Sequence, residues 1–79
     1  MEEFKIDIKK IKRFRLDNKF TQEEIGKYLQ ISKNGYSLKE RGKRDFKPIE
    51  LKALAELYET NVDDFFCNYS NLIGYTTTA

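Results

Sequence analysis

The side chains best suited to bind a charged ligand lie between residues 33 and 47. This stretch carries two acids and six cations, namely Lys33, Lys39, Arg41, Lys43, Arg44 and Lys47. Residues 1–20 add seven cations against four acids, whereas residues 48–66 carry one lysine against five acids. One end of the molecule should therefore be basic and the other acidic, which is typical of a protein that binds a polyanion. A solvated surface on which charges cluster by chance is the alternative.

Residues that support catalysis or metal binding are scarce. The chain has no histidine, and Cys67 is its one cysteine. A disulfide within one chain and a thiolate or imidazole metal site are therefore excluded, and the usual proton shuttle is missing. We expect no enzyme, no metal and no cofactor, and Cys67 to be a semi-buried residue in a reducing compartment.

The length and composition predict one small domain. A chain of 79 residues buries about 60% of its unfolded surface, which leaves no spare cavity for a small-molecule substrate. The apolar fraction of 39% and the charged fraction of 35% favour a helix-rich globule. There is no apolar run near 18 residues and no signal-peptide pattern. We expect a cytoplasmic protein without a membrane partner.

Hydrophobic spacing predicts two helices in the first half of the chain. Ile8, Ile11 and Phe14 recur at helical spacing and place the first helix at residues 6–18. Thr21 and Glu24 form the pattern of a capping box at the start of the second helix. Its buried face is predicted to consist of Ile25, Tyr28 and Leu29.

The second half of the chain predicts three further helices. Ser32 is a good N-cap for a third helix that runs from about residue 33 to 40 or 41 and ends at Gly42. Pro48 begins a fourth helix, and Thr60 or Asn61 caps a short fifth one that contains Val62, Phe65 and Phe66. The predicted fold is thus all-α, with five helices in a domain of residues 1–66. Residues 67–79 form an uncharged tail, β-leaning from 72 to 78, which is either frayed or docked.

The second and third helices are separated by about three residues, which describes a helix-turn-helix. Over residues 11–66 the sequence resembles the Cro/CI-type, xenobiotic-response-element or lambda-repressor-like, helix-turn-helix regulators. The matching segments are "IKRFR" (11–15), "TQEEIGKYL" (21–29), "ISKNGYSLKERGKR" (31–44) and "VDDFF" (62–66). The resemblance implies a sequence-specific binder of double-stranded DNA. It would act as a repressor of phage, mobile-element or bacterial operon type.

The resemblance also implies roles for individual residues. Gln22 would bond a DNA phosphate and brace the third helix, while Arg15 and Glu40 would form a partly buried ion pair. The base-contacting residues would be Lys33, Asn34, Ser37 and Leu38. The other phosphate-contacting residues would be Arg15, Arg41, Lys43, Arg44 and Lys47. An ordinary solvated helix face and a generic basic loop are the alternatives for these two sets.

Four residues depart from the family pattern. Gln30 stands where a left-handed glycine is usual, which should cost about 1 kcal/mol if the left-handed conformation is kept. Gly35 lies inside the third helix, and Tyr36 replaces an aliphatic residue. Lys39 replaces a core apolar residue, so we expect it to bury its stem and extend its ammonium group to water.

A domain of this size reads few base pairs, so a homodimer on a pseudo-palindromic operator is expected. The candidate dimer residues are Phe65, Phe66, Leu72, Ile73 and Tyr75. Capping of the monomer core is the alternative role for these residues. Two other functions remain open at this point: a DNA-binding antitoxin or restriction-modification controller on the same fold, and a protein-interaction module that has lost DNA binding.

Overall fold

The computed structural model describes residues 4–68 of the chain. It contains four α-helices, one 3₁₀ turn and a two-stranded antiparallel sheet. The helices are α1 (Ile8–Asp17), α2 (Gln22–Leu29), α3 (Lys33–Glu40) and α4 (Pro48–Leu57). The 3₁₀ turn is Val62–Phe65, and the strands are β1 (Phe4–Ile6) and β2 (Phe66–Asn68).

The first helix starts two residues later than predicted, because Asp7 caps it. The Asp7 carboxylate accepts the backbone N–H groups of Lys9 at 3.1 Å and Lys10 at 3.4 Å. Asp7 itself has extended backbone angles, so the helix begins at Ile8 and Ile6 belongs to β1. A capping aspartate satisfies N–H groups that have no partner inside the helix.

The predicted boundaries of the next helices are confirmed. The Thr21 hydroxyl accepts the Glu24 N–H at 3.0 Å, and the Glu24 carboxylate accepts the Thr21 N–H at 2.8 Å, which completes the capping box. The Ser32 hydroxyl caps α3, and Pro48 is the first residue of α4. Gly42 adopts a φ of 78° just after α3, a conformation that glycine adopts without steric cost.

The predicted fifth helix is wrong. Residues 62–65 form one 3₁₀ turn, and Phe66 enters β2 with an extended backbone. The strands pair Phe4 with Asn68, Lys5 with Cys67 and Ile6 with Phe66, and the Asp7 N–H donates to the Phe65 carbonyl at 2.8 Å. Backbone pairing with β1 thus replaces the helical hydrogen bonds. The fold is mainly helical as expected, but the folded unit includes Cys67 and Asn68, and Cys67 is half-buried.

An aromatic cluster joins α1, α4 and the 3₁₀ turn in the core. The Phe14 ring stacks on Tyr58 with centroids 5.5 Å apart, and Phe65 meets Phe14 edge-on at 5.4 Å. Phe65 is 0% exposed, so the prediction that it lies in a dimer interface is wrong. Phe66 is half-buried. The other dimer candidates, Leu72, Ile73 and Tyr75, and the β-leaning tail lie outside the described residues.

Tyr28 does not belong to the buried face of α2. Its side chain is 45% exposed, and its hydroxyl donates to the Ala53 carbonyl of α4 at 3.2 Å. Ile25 and Gly26 are the buried residues of this helix. Within residues 4–68, none of the helices combines the length and the apolar character that crossing a membrane requires.

Candidate nucleic-acid interface

A tight turn holds α2 and α3 against each other. Gln30 ends α2 in the left-handed conformation, with φ 63° and ψ 40°, so the conformation usual for glycine at this position is kept. The Ile31 N–H then donates to the Gly26 carbonyl at 2.8 Å. A Cβ on Gly26 would lie 3.0 Å from the Ile31 carbonyl oxygen, so the turn approaches α2 closely because this side chain is absent.

The outer face of α3 presents the residues predicted to contact bases. Lys33 and Asn34 are exposed in the first turn of the helix, whereas Ser37 and Leu38 are half-buried one turn later. The Ser32 hydroxyl accepts the Gly35 N–H at 2.9 Å and fixes the start of this helix. Cation, amide, hydroxyl and apolar side chains thus share one helical surface.

A buried carboxylate at the end of α3 fixes the orientation of this helix. Glu40 accepts hydrogen bonds from Arg15 Nε at 2.7 Å and Arg15 Nη2 at 3.0 Å. It also accepts Gln22 Nε2 at 3.0 Å and the Tyr36 hydroxyl at 2.8 Å. Since these partners belong to α1, α2 and α3, one carboxylate connects three helices.

The network keeps Glu40 ionised. Burial by itself would raise the pKa of Glu40, but the hydrogen bonds from Arg15, Gln22 and Tyr36 outweigh it and hold this pKa below its ordinary value. The hydrogen bond to Glu40 raises the pKa of the Arg15 guanidinium. Burial, followed by the bond to Glu40, raises the pKa of the Tyr36 hydroxyl. The buried ion pair and its tyrosine donor are therefore stable in these protonation states near neutral pH.

Arg15 is not available to a phosphate. The residue is 7% exposed, and Nη1 donates to the Phe20 carbonyl at 2.8 Å while Nε and Nη2 bind Glu40. The prediction that Arg15 contacts phosphate is therefore wrong, because the same guanidinium is committed inside the protein. Gln22 is half-buried, with its amide nitrogen on Glu40, at the positively polarised start of α2.

Four exposed cations occupy the connection between α3 and α4, which we call the basic loop (residues 41–47). They are Arg41, Lys43, Arg44 and Lys47. The buried ring of Phe46 anchors the loop by meeting Tyr36 edge-on with centroids 6.0 Å apart. A Cβ on Gly35 would lie 3.7 Å from Arg44 Nη1, so the arginine covers the first turn of α3.

Sequence reasoning missed a second buried ion pair beneath the basic loop. Lys39 is 5% exposed, and its Nζ lies 2.6 Å and 2.7 Å from the two carboxylate oxygens of Glu50. Burial would raise the pKa of Glu50, but the bonds from Lys39 and from the Lys47 N–H hold it below its ordinary value. The expectation that Lys39 extends to water is thus wrong. The signal in the sequence was Glu50, an acidic residue three positions after Lys47 at the start of α4, which is a suitable partner for Lys39.

Comparison with known proteins adds one match. A family model described as helix-turn-helix matches residues 11–65. No curated protein and no solved structure matches the chain.

Proposed function

The chain belongs to the lambda-repressor-like (XRE) helix-turn-helix family of DNA-binding transcription regulators, and on this premise we propose that it is a sequence-specific repressor. In this proposal α3 enters the major groove and the basic loop follows the phosphate backbone. One observation carries the proposal: Lys33 and Asn34 are exposed on α3 while the Glu40 network holds that helix in one orientation. A helix that is fixed on its inner side and polar on its outer side is suited to reading base edges.

The side chains of α3 match the chemistry of base edges. Asn34 can make a paired hydrogen bond to adenine, and Lys33 can donate to the O6 and N7 atoms of guanine. Ser37 can bond either kind of base, and Leu38 can contact a thymine methyl group. Each well-placed pair of this kind discriminates against the wrong base by about 1–3 kcal/mol.

The basic loop supplies affinity rather than sequence preference. In this proposal its four cations neutralise phosphates, and Gln22 donates a hydrogen bond to a phosphate at the start of α2. Each neutralised phosphate contributes about −0.9 to the slope of log K against log salt concentration.

A homodimer on a pseudo-palindromic operator completes the proposal, because one α3 helix reads only a few base pairs. The half-buried Phe66 and the residues Leu72, Ile73 and Tyr75 beyond the described chain remain the proposed dimer surface. An operator recovered as two inverted half-sites would support this arrangement, whereas a single half-site would contradict it.

Selection of bound sequences from a random DNA library tests the proposal most directly. We expect one enriched motif, and we expect Asn34→Ala to lower affinity for it by about 5-fold to 100-fold while relaxing preference at one base position. Lys43→Ala should weaken binding to all sequences alike and make the salt slope shallower by about 1. Lys10→Ala is the matched control, because Lys10 is an exposed cation of α1 outside α3 and the basic loop.

Two results would contradict the proposal. An absence of both an enriched sequence and salt-dependent binding would identify a chain that keeps the fold without binding DNA. An enriched motif that Asn34→Ala and Lys33→Ala leave unchanged would instead show that the base-contacting residues are assigned wrongly.

A further inference from the structure

We propose that the buried Lys39–Glu50 ion pair is a positioning element for DNA binding, which holds the basic loop in the placement that lets its cations meet the phosphate backbone. The inference rests on the proposed function, because it assumes that the loop contacts DNA. Neither residue touches the ligand in this proposal; both act through the loop.

The pair joins the two helices that the basic loop connects. Lys39 is the penultimate residue of α3, and Glu50 lies in the first turn of α4. The Lys39 ammonium contacts both carboxylate oxygens at 2.6 Å and 2.7 Å, and Glu50 Oε1 also accepts the Lys47 N–H at 2.8 Å. One carboxylate therefore fixes the end of α3, the last residue of the loop and the start of α4 relative to one another.

The rest of the loop is tied to α3 at its beginning and near its end. The Gly42 N–H donates to the Lys39 carbonyl at 3.1 Å, and the Lys43 N–H donates to the Leu38 carbonyl at 2.8 Å. Phe46 is buried near the other end. Arg44 lies between these anchors, so its placement over α3 depends on where the two ends of the loop are held.

On the opposite side the loop is only partly packed, by Ile8, whose Cδ1 would lie 3.1 Å from a Cβ on Gly42. A groove of about 340 Å³ lies between the loop and the start of the chain. It is lined by Lys5, Ile6, Ile8, Gly42, Arg44 and Phe46, and Lys39 also borders it. Because the groove leaves part of the loop unpacked, the loop has room to shift if the ion pair that holds its ends is removed.

Stability alone does not explain why two charges are buried at this place. Both ions lose their hydration, and replacing such a pair by apolar residues of similar volume is often neutral or stabilising. An ion pair differs from an apolar contact because separating two buried charges leaves each one uncompensated, so the two short contacts and the shared backbone hydrogen bond resist displacement of the loop ends. Fixed geometry is what a row of phosphate-binding cations requires.

A double variant, Lys39→Met/Glu50→Gln, separates positioning from folding. Methionine approximates the length of the lysine stem, and glutamine keeps an oxygen that can accept the Lys47 N–H, so no unpaired charge remains buried. Thermal unfolding checks that the variant is folded. Affinity for the selected duplex is then measured over a series of salt concentrations, with Lys10→Met as the matched control.

We expect the folded double variant to bind the duplex about 10-fold more weakly, with a salt slope shallower by about 1 to 2, as if one or two phosphate contacts were lost. Hydrogen exchange of the Lys43 amide should be faster than in the wild-type chain. Lys10→Met should keep wild-type affinity. If the double variant does not fold, Glu50→Asp carries the same test, because it keeps the charge but shortens the side chain by one methylene.

Wild-type affinity and salt slope in the folded double variant would overturn the inference and leave the proposed function intact. A wild-type chain without salt-dependent DNA binding would instead overturn the proposed function, and this inference with it.

Discussion

Two buried tyrosines use their hydroxyl groups in opposite ways. The Tyr36 hydroxyl donates to the Glu40 carboxylate at 2.8 Å inside the network that orients α3. The Tyr58 hydroxyl is buried and has no hydrogen-bond partner among residues 4–68, and burial raises its pKa to about 12. Tyr36 is therefore a polar member of the core, while Tyr58 contributes mainly its ring to the aromatic cluster.

Removing the two hydroxyl groups should have unequal effects on stability. We expect Tyr36→Phe to lower the free energy of unfolding by about 1.5–3 kcal/mol, because a hydrogen bond to a charged group is lost in a buried site. Tyr58→Phe should instead leave it unchanged or raise it by up to about 1 kcal/mol, because the removed hydroxyl is buried without a hydrogen-bond partner. Urea unfolding of both variants at neutral pH measures the difference, and equal losses would contradict this account of the network.

Lys39 shows the limit of reasoning from single residues. The family resemblance implied its position on the inner face of α3, but its partner lies eleven residues away on another helix. A buried lysine can be accommodated either by reaching water or by pairing with a carboxylate. Only the packing of α4 against α3 decides between these two outcomes.

Among the secondary-structure elements, the turn between α2 and α3 follows directly from local sequence. Thr21, with Glu24, caps α2, and Ser32 caps α3. Because a cap acts over about three residues, the sequence predicted the starts of α2 and α3 correctly. Gln30 carries the left-handed conformation that a glycine would adopt more readily. This turn therefore retains avoidable backbone strain.

Glycine at position 30 should relieve that strain. We expect Gln30→Gly to raise the free energy of unfolding by about 0.5–1 kcal/mol, the steric gain being reduced by the larger entropy of glycine in the unfolded chain. Lys27→Gly is the matched control: it is exposed on the same helix in a right-handed conformation, so it should lose about 1 kcal/mol. Thermal unfolding compares the two, and a destabilised Gln30→Gly would contradict the strain argument.

The elements at the two ends of the described chain were not predictable in the same way. Residues 62–66 have helical spacing of apolar residues, yet Phe66 pairs with Ile6, sixty residues earlier. A three-residue strand has no periodicity of its own that would reveal it, and its partner is set by where α1 and the 3₁₀ turn pack. The same pairing moved Ile6 out of the predicted first helix.

In the whole molecule, stability depends on two buried carboxylates whose pKa values are lowered. Glu40 and Glu50 both favour the ionised form in the folded state, relative to an ordinary value of 4.5. Their contribution to stability is therefore fully present above about pH 4.5, and it is lost as the pH falls through their folded pKa values. Acid should release α3 from α1, α2 and α4 together, because these carboxylates form the links between them.

A carboxylate-to-amide variant tests this acid dependence. We expect Glu40→Gln to be less stable than wild type at neutral pH, because Arg15 is left buried without its charged partner, and to lose less stability on acidification. The measurement is the free energy of urea unfolding from about pH 6 to about pH 3. Glu56→Gln, an exposed carboxylate of α4, should keep the wild-type pH dependence. Parallel curves for wild type and Glu40→Gln would contradict the assignment.

The sequence by itself determined the helix-turn-helix, its family and the positions of its cations. These features depend on caps, helical periodicity and charge, which act over a few residues and can be read along the chain. The tertiary structure decided which charged groups are exposed and which are buried. Arg15, predicted to contact phosphate, is buried. Phe65, predicted to lie in a dimer interface, is in the core, and Lys39, predicted to reach water, is buried as well. The physical reason is that burial and pairing depend on residues distant in sequence, which meet only when the helices pack.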